Sequence, residues 1–190
     1  MSFTPHFSDL TPVEEHNGIF YKRDDFYAPY ENFITGGKIR QCRDLVEKNL
    51  DFIHDKCNST IATAASVNSP QSPIVSRVAQ EFGLKSIIGF GNTTIEKALK
   101  HKMMQKCKEY GSELVVLSET QGFNNVLYHN LHKLSETTPM FKILFGYAAQ
   151  SHRESIITRI AEQVENVDCD VLYVPVGSGV TLSGILEGAK

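Results

Sequence analysis

The most constraining stretch lies late in the chain. Asp170-Val171-Leu172-Tyr173-Val174-Pro175-Val176 is apolar and valine-rich, the pattern of a strand buried in a parallel sheet. Gly177-Ser178-Gly179-Val180-Thr181 follows, and Leu182 to Glu187 has the pattern of a helix start. A strand feeding a glycine turn at a helix N-terminus makes a cup for a phosphate. Glycines let the backbone approach the anion, unpaired N–H groups point at it, and the helix dipole favours negative charge. Ser178 and Thr181 add hydroxyl donors. The spacing is neither the dinucleotide fingerprint nor the P-loop, because no lysine follows the last glycine. Alone, such a turn reads equally well as a plain strand-to-helix connection. A second feature far upstream adds weight: Thr35-Gly36-Gly37-Lys38-Ile39-Arg40.

The 190 residues allow one to one and a half domains, at about 100–200 residues each. Net charge is −3, with acids and bases mixed along the chain. No basic stripe marks a nucleic-acid binder, and no block of like charge marks a tail. No apolar run approaches the roughly 18 residues that span a bilayer. The opening residues have no basic and no apolar signal-peptide region, so no leader is expected there. Cys42, Cys57, Cys107 and Cys169 form no CxxC pair, so reduced thiols in a cytoplasmic compartment are expected. The helix after the glycine loop has barely begun at Lys190. The expectation is a fragment, completed by a missing C-terminal segment or by homo-oligomerisation.

Along the chain, 18–22 reads as a short strand. Ile39, Cys42, Leu45, Val46, Leu50 and Ile53 recur at helical spacing, so 38–53 reads as a helix with one apolar face. From residue 60 strands and helices alternate. Strands are expected at 60–65, 85–90, 113–117 and 141–145. Helices are expected at 72–82, 94–110, 122–134 and 154–166. That alternation means βαβ units on a parallel sheet with flanking helices, an α/β fold. Ligands in such sheets sit beyond the carboxyl ends of the strands. The turns at 66–72, 146–152 and 177–181 are therefore the candidates for a shared site.

Four motifs in order now carry a resemblance. They are Arg23-Asp24-Asp25, then Gly36-Gly37-Lys38-Ile39-Arg40, then Ser66 to Gln71 ahead of a helix ending Phe82-Gly83-Leu84-Lys85, then Gly177 to Thr181. The chain resembles the fold-type-II pyridoxal-phosphate enzymes, the tryptophan-synthase β-like superfamily. The branch it most resembles holds the aminocyclopropane-carboxylate deaminases and D-cysteine desulfhydrases. The resemblance implies a two-domain architecture. Residues 1–58 and 168–190 would be parts of the large cofactor domain, and 59–167 the small α/β domain. About the last third of the family's length would be missing.

The resemblance implies pyridoxal 5'-phosphate as cofactor, a small amino acid as substrate, and Lys38 as the catalytic lysine that forms the Schiff base. An amine attacks an aldehyde only when neutral, so the position needs a lysine that can lose its proton. A solvated lysine opening a helix is the alternative. Gly177, Ser178, Gly179, Val180 and Thr181 match the family's phosphate cup. Asn68 is taken as the partner of the cofactor ring, with Ser69 and Gln71 on the substrate carboxylate. Aligning on the following helix instead puts Pro70 where the family has its asparagine, and proline removes a backbone donor there. Tyr147, after Gly146, is a candidate substrate contact or a packed tyrosine. His129 and His132 lack a completing ligand, so no metal is expected. The implied activity is elimination, deamination or β-replacement on an amino acid. A non-catalytic relative and a nucleotide-binding domain using the Gly177 loop are the alternatives.

Overall fold

A computed structural model describes residues 10–147 and 153–189. The described chain forms two compact units: 10–45 with 153–189, and 46–147.

The second unit is built on a four-stranded, all-parallel sheet in the order β5-β4-β3-β6. Its strands are β3 (Thr60–Ala64), β4 (Lys85–Gly91), β5 (Glu113–Ser118) and β6 (Phe141–Lys142). Every residue of β3 is buried, as a central parallel strand requires. Small residues at Ala62 and Ala64 leave room for α6 (Asn124–Thr137), whose Leu127 and Leu131 pack with them, Ile87 and Met140. Helix α3 (Gln71–Glu81) lies on β3 and β4 and packs against α5 (Lys102–Glu109). The short α4 (Ile95–Ala98) is capped by Thr94, whose hydroxyl accepts the Lys97 N–H at 3.3 Å.

The expected strand at 141–145 is shorter. After Lys142 the chain bonds once more through Ile143 N–H to Ala62 O, then turns through a one-turn helix at Phe145–Tyr147. The helix expected over 94–110 is broken at 99–101 into α4 and α5.

The first unit opens with a hairpin, β1 (Val13–His16) and β2 (Ile19–Lys22), paired antiparallel. Asn17 and Gly18 turn it with φ of 55° and 79°, the left-handed pair a two-residue hairpin loop needs. Helix α1 (Gly37–Glu47) follows. The expected 38–53 helix is split at residues 48–49, and α2 (Leu50–Lys56) packs on β3. That packing draws the edge of the second unit ahead of residue 59. Helix α7 (Arg153–Ala161) packs on α8 (Val180–Gly188) in the first unit.

The strand expected at 170–176 is corrected. Residues 171–176 have no regular secondary structure and pair with no strand among the described residues. Val171 is 65% exposed and Tyr173 92%. A buried parallel strand needs neighbours for its backbone groups and cover on both faces. Neither is supplied by the described residues.

Candidate functional site

Lys38 lies in the first turn of α1, and its side chain is exposed. The helix start under it is built by Asp24. One carboxylate oxygen accepts the Gly37 N–H at 2.7 Å, and the other accepts from Arg40 Nη1 at 3.0 Å. A β-carbon on Gly37 would stand 2.5 Å from Asp24 Oδ2, so a side chain there would push the carboxylate off this contact. Arg40 is 4% exposed, and its guanidinium lies over the Tyr27 ring at 4.4 Å. Its Nε and Nη2 are buried with no hydrogen-bond acceptor among the described residues. Burial lowers the pKa of Lys22 below the ordinary lysine value; Asp24 raises it and Arg40 lowers it further. The carboxylate of Asp24 therefore serves a helix N-terminus and a buried cation at once.

The glycine loop belongs to the same unit. Gly179 is the N-cap of α8 with φ 82° and ψ −11°. That left-handed backbone is one that only glycine adopts freely. A β-carbon at Gly177 or Gly179 would meet nothing within 4 Å, and Ser178 and Thr181 are exposed. The Gly179 carbonyl accepts the Ser183 N–H at 2.9 Å and the Ser183 hydroxyl at 3.0 Å. The first N–H groups of α8, around Val180 and Thr181, have no acceptor inside the helix. The loop is thus an open, donor-rich cup. Helix α8 is anchored through small residues: a β-carbon on Gly184 would stand 2.4 Å from Ile160.

In the second unit, Asn68 and Ser69 sit in the turn after β3. Asn68 Oδ1 is 2.8 Å from His101 Nδ1, and Ser69 Oγ accepts the Gln71 N–H at 3.3 Å. Pro70 is the N-cap of α3, with no side-chain cap bond. Gln71 is 2% exposed, and its amide points into the unit. Nε2 donates among Thr63 Oγ1 (2.8 Å), Leu144 O (3.1 Å) and Tyr128 OH (3.2 Å). Oε1 accepts the Gly146 N–H at 3.1 Å. Burial raises the pKa of the Tyr128 phenol. Tyr147 is fully buried, with φ 61°. So Gln71 and Tyr147 meet protein on all sides, whereas Asn68 is open to solvent.

Two contributors escaped the sequence reading. Arg23-Asp24-Asp25 reads as a motif, but the bond from Asp24 to the start of α1, 13 residues on, has no local signal. His101, 33 residues from Asn68, carried no local signal. A cleft of about 330 Å³ in the first unit is lined by Val164, Val167, Leu172 and Gly188 among others, and by none of the expected site residues. His132 Nδ1 is 2.8 Å from Lys142 Nζ, and no metal-binding cluster occurs among the described residues.

No family model matches the chain. The chain is similar to the O-seryl-dTMP PLP-dependent decarboxylase of Salmonella phage ViI. The two are 28% identical over 197 residues, covering 92% of this chain and 44% of that protein. It is similar in structure to an ACC deaminase homologue (TM-score 0.64, 20% identity, 89% of this chain and 50% of that one). It is also similar to the cysteine synthase of Entamoeba histolytica (TM-score 0.67, 15% identity, 99% and 59%). A third likeness is to the hydrogen sulfide-producing enzyme of Fusobacterium nucleatum (TM-score 0.63, 17% identity, 90% and 49%). The chain therefore has the α/β fold of the fold-type-II pyridoxal-phosphate enzymes, as the resemblance implied. It spans about half the length of the relatives it matches.

Proposed function

We propose that these residues are the lysine-bearing part of a pyridoxal 5'-phosphate-dependent enzyme that works at the α-carbon of an amino acid. The carrying observation is within one unit. Lys38 is exposed and makes no hydrogen bond or ion pair among the described residues, on a helix start held by Asp24. The same unit holds an open glycine loop at the start of α8, whose first N–H groups have no acceptor inside the helix. An available amine and a phosphate cup are the two features this cofactor requires of its protein. The similar phage protein is named as PLP-dependent.

When bound, the cofactor supplies an aldehyde for a lysine amine and a ring that draws electrons from the substrate's α-carbon. The chain's residues do the rest. Gly177, Ser178, Gly179, Val180 and Thr181 hold the phosphate by backbone N–H groups and hydroxyls. The amine of Lys38 would take or return the proton at the α-carbon. The resemblance assigns Asn68 to the ring and Ser69 to the substrate carboxylate. The inward amide of Gln71 gives it a positioning role: it holds the 144–146 turn against the start of α3. Tyr147, fully buried after that turn, is the residue the resemblance offers as a substrate contact.

Elimination, deamination and β-replacement all begin at that α-carbon. The name of the phage protein adds decarboxylation. There the bond to the carboxyl carbon breaks, carbon dioxide leaves, and Lys38 returns a proton to the α-carbon. The test has two parts. Borohydride reduction of pyridoxal-phosphate-loaded protein, then peptide mass spectrometry, should place the pyridoxyl group on Lys38; an adduct elsewhere, or none, defeats the reading. Incubation with serine and O-substituted serines should then release ammonia or carbon dioxide.

A second reading, a non-catalytic binder of the same cofactor, draws on Pro70, which withholds a backbone donor at the start of α3. Cofactor loading on Lys38 with no turnover of any of these amino acids would favour it. No helix among the described residues is long and apolar enough to cross a membrane. All four cysteines are free, and a cytoplasmic site of action is part of the proposal.

A further inference from the structure

The 66–70 turn is bordered by the densest run of positive charge in the second unit. Between Glu96 and Glu109 stand Lys97, Lys100, His101, Lys102, Lys106 and Lys108. The net charge of −3 hides this local reversal of sign. The break between α4 and α5 falls inside the run, closed by Lys100 N–H to Lys97 O and His101 N–H to Ala98 O. Lys97, Lys100 and Lys102 are exposed, and none pairs with a carboxylate among the described residues. Lys106, by contrast, pairs with Glu109 at 3.2 Å.

One contact ties this run to the turn: His101 Nδ1 lies 2.8 Å from Asn68 Oδ1. An amide oxygen only accepts, so Nδ1 carries the proton and Nε2 stays available. Both residues follow the carboxyl ends of neighbouring strands, Asn68 after β3 and His101 after β4. That is the end of the sheet where ligands bind in open α/β folds. Three unpaired lysines within six residues make a local positive potential that attracts an anion. The carboxylate of a free amino acid needs one donor set, whereas phosphate esters use several cations. The similar phage protein is named for a seryl group on dTMP.

We propose that Lys97, Lys100, His101 and Lys102 form a phosphate-binding patch for the nucleotide part of an amino-acid-bearing nucleotide, free or within DNA. The proposal rests on reading the 66–71 turn as the substrate side of the site.

The test uses thymidine 5'-monophosphate and a fluorescein-labelled DNA duplex as probes, read by fluorescence anisotropy at several salt concentrations. The proteins are wild type, the triple variant Lys97→Gln/Lys100→Gln/Lys102→Gln, and the single variant Lys100→Glu. Wild type binds at least one probe. The triple variant binds it about tenfold or more weakly, and if the probe is DNA the salt slope falls by about 2.7, at about 0.9 per lost phosphate contact. Tight duplex binding with weak competition by the monophosphate assigns the patch to DNA. Binding of the monophosphate alone assigns it to a free nucleotide. Equal affinities in wild type and both variants, or no binding of either probe, overturns the patch. Pyridoxal-phosphate loading, read by borohydride labelling, should be the same in all three proteins. Loading without probe binding sinks the patch alone; probe binding without loading sinks the cofactor reading alone.

Discussion

Asp24 holds the first N–H of α1 and the buried guanidinium of Arg40 with the two oxygens of one carboxylate, at 2.7 and 3.0 Å. Lys38 sits between those two anchor points in sequence. Removing the carboxylate leaves Arg40 buried with only the Tyr27 ring, and exposes a helix end. Asp24→Ala should cost about 2 kcal/mol, because Asp24 is itself half exposed and partly screened. Asp24→Asn, which keeps an acceptor for Gly37, should cost about half as much. Urea midpoints of the three proteins check this; equal midpoints would show that Arg40 does not depend on Asp24.

Gln71 tests the same idea in the second unit. Gln71→Ala strands the Gly146 N–H and removes the donor to Thr63 and Leu144. The expected cost is about 2–3 kcal/mol for buried groups left unpaired. Gln71→Glu keeps the acceptor but loses the donors, and should be no milder. If Gln71→Ala melts like wild type yet abolishes turnover, the side chain contacts substrate and is not a positioning residue.

Two glycines of α8 should respond in opposite ways. Gly184→Val drives a side chain into Ile160, where a β-carbon already lies at 2.4 Å, and should separate α8 from α7. Gly179→Val meets open space but must hold φ near 82°, a strain of about 1–3 kcal/mol. It should keep most of the fold and lose pyridoxal phosphate, while pyridoxal without phosphate binds as before. Titration of both aldehydes with circular dichroism alongside distinguishes the two variants. Unchanged phosphate-cofactor affinity in folded Gly179→Val would reduce the loop to a connection.

Alkaline pH should weaken the fold. Burial pushes the Cys107 thiol up from 9.0 to about 11, and raises the Tyr128 phenol as well. Above the unfolded value of the thiol, the unfolded chain binds fewer protons than the folded one, so stability falls as pH rises. The loss from Cys107 runs from about pH 9 to about pH 11 and reaches roughly 2–3 kcal/mol. Lys22, lowered by burial, works in the opposite direction over its own window. Cys107→Val should flatten the decline in thermal midpoint between those pH values. An unaltered decline would assign it to other groups.

The exposed run at 171–176 predicts self-association of these residues on their own. Val171, Leu172, Tyr173 and Val176 present apolar surface beside unpaired backbone groups. Val171→Lys with Tyr173→Lys should shift light scattering towards smaller species. A wild-type chain that is already monodisperse and monomeric would contradict this.

The sequence by itself determined the periodicities and the motif spacing. Alternation of apolar runs with helical patterns announced the parallel sheet. Glycines at fixed offsets announced the turn at Gly179 and the helix starts of α1 and α8, because backbone conformation and helix starts are set by neighbours a few residues apart. The partner of the 18–22 strand is a tertiary fact: Asn17 and Gly18 take positive φ and fold β1 back on β2. Tertiary packing decided the rest. Gln71 turns inward because Thr63, Leu144 and Gly146 offer it partners up to 75 residues away. His101 reaches Asn68 because β3 and β4 lie side by side. The apolar run at 171–176 has strand composition but no strand pairing among the described residues. Composition states what a segment can bury, and only the neighbours present determine whether it does.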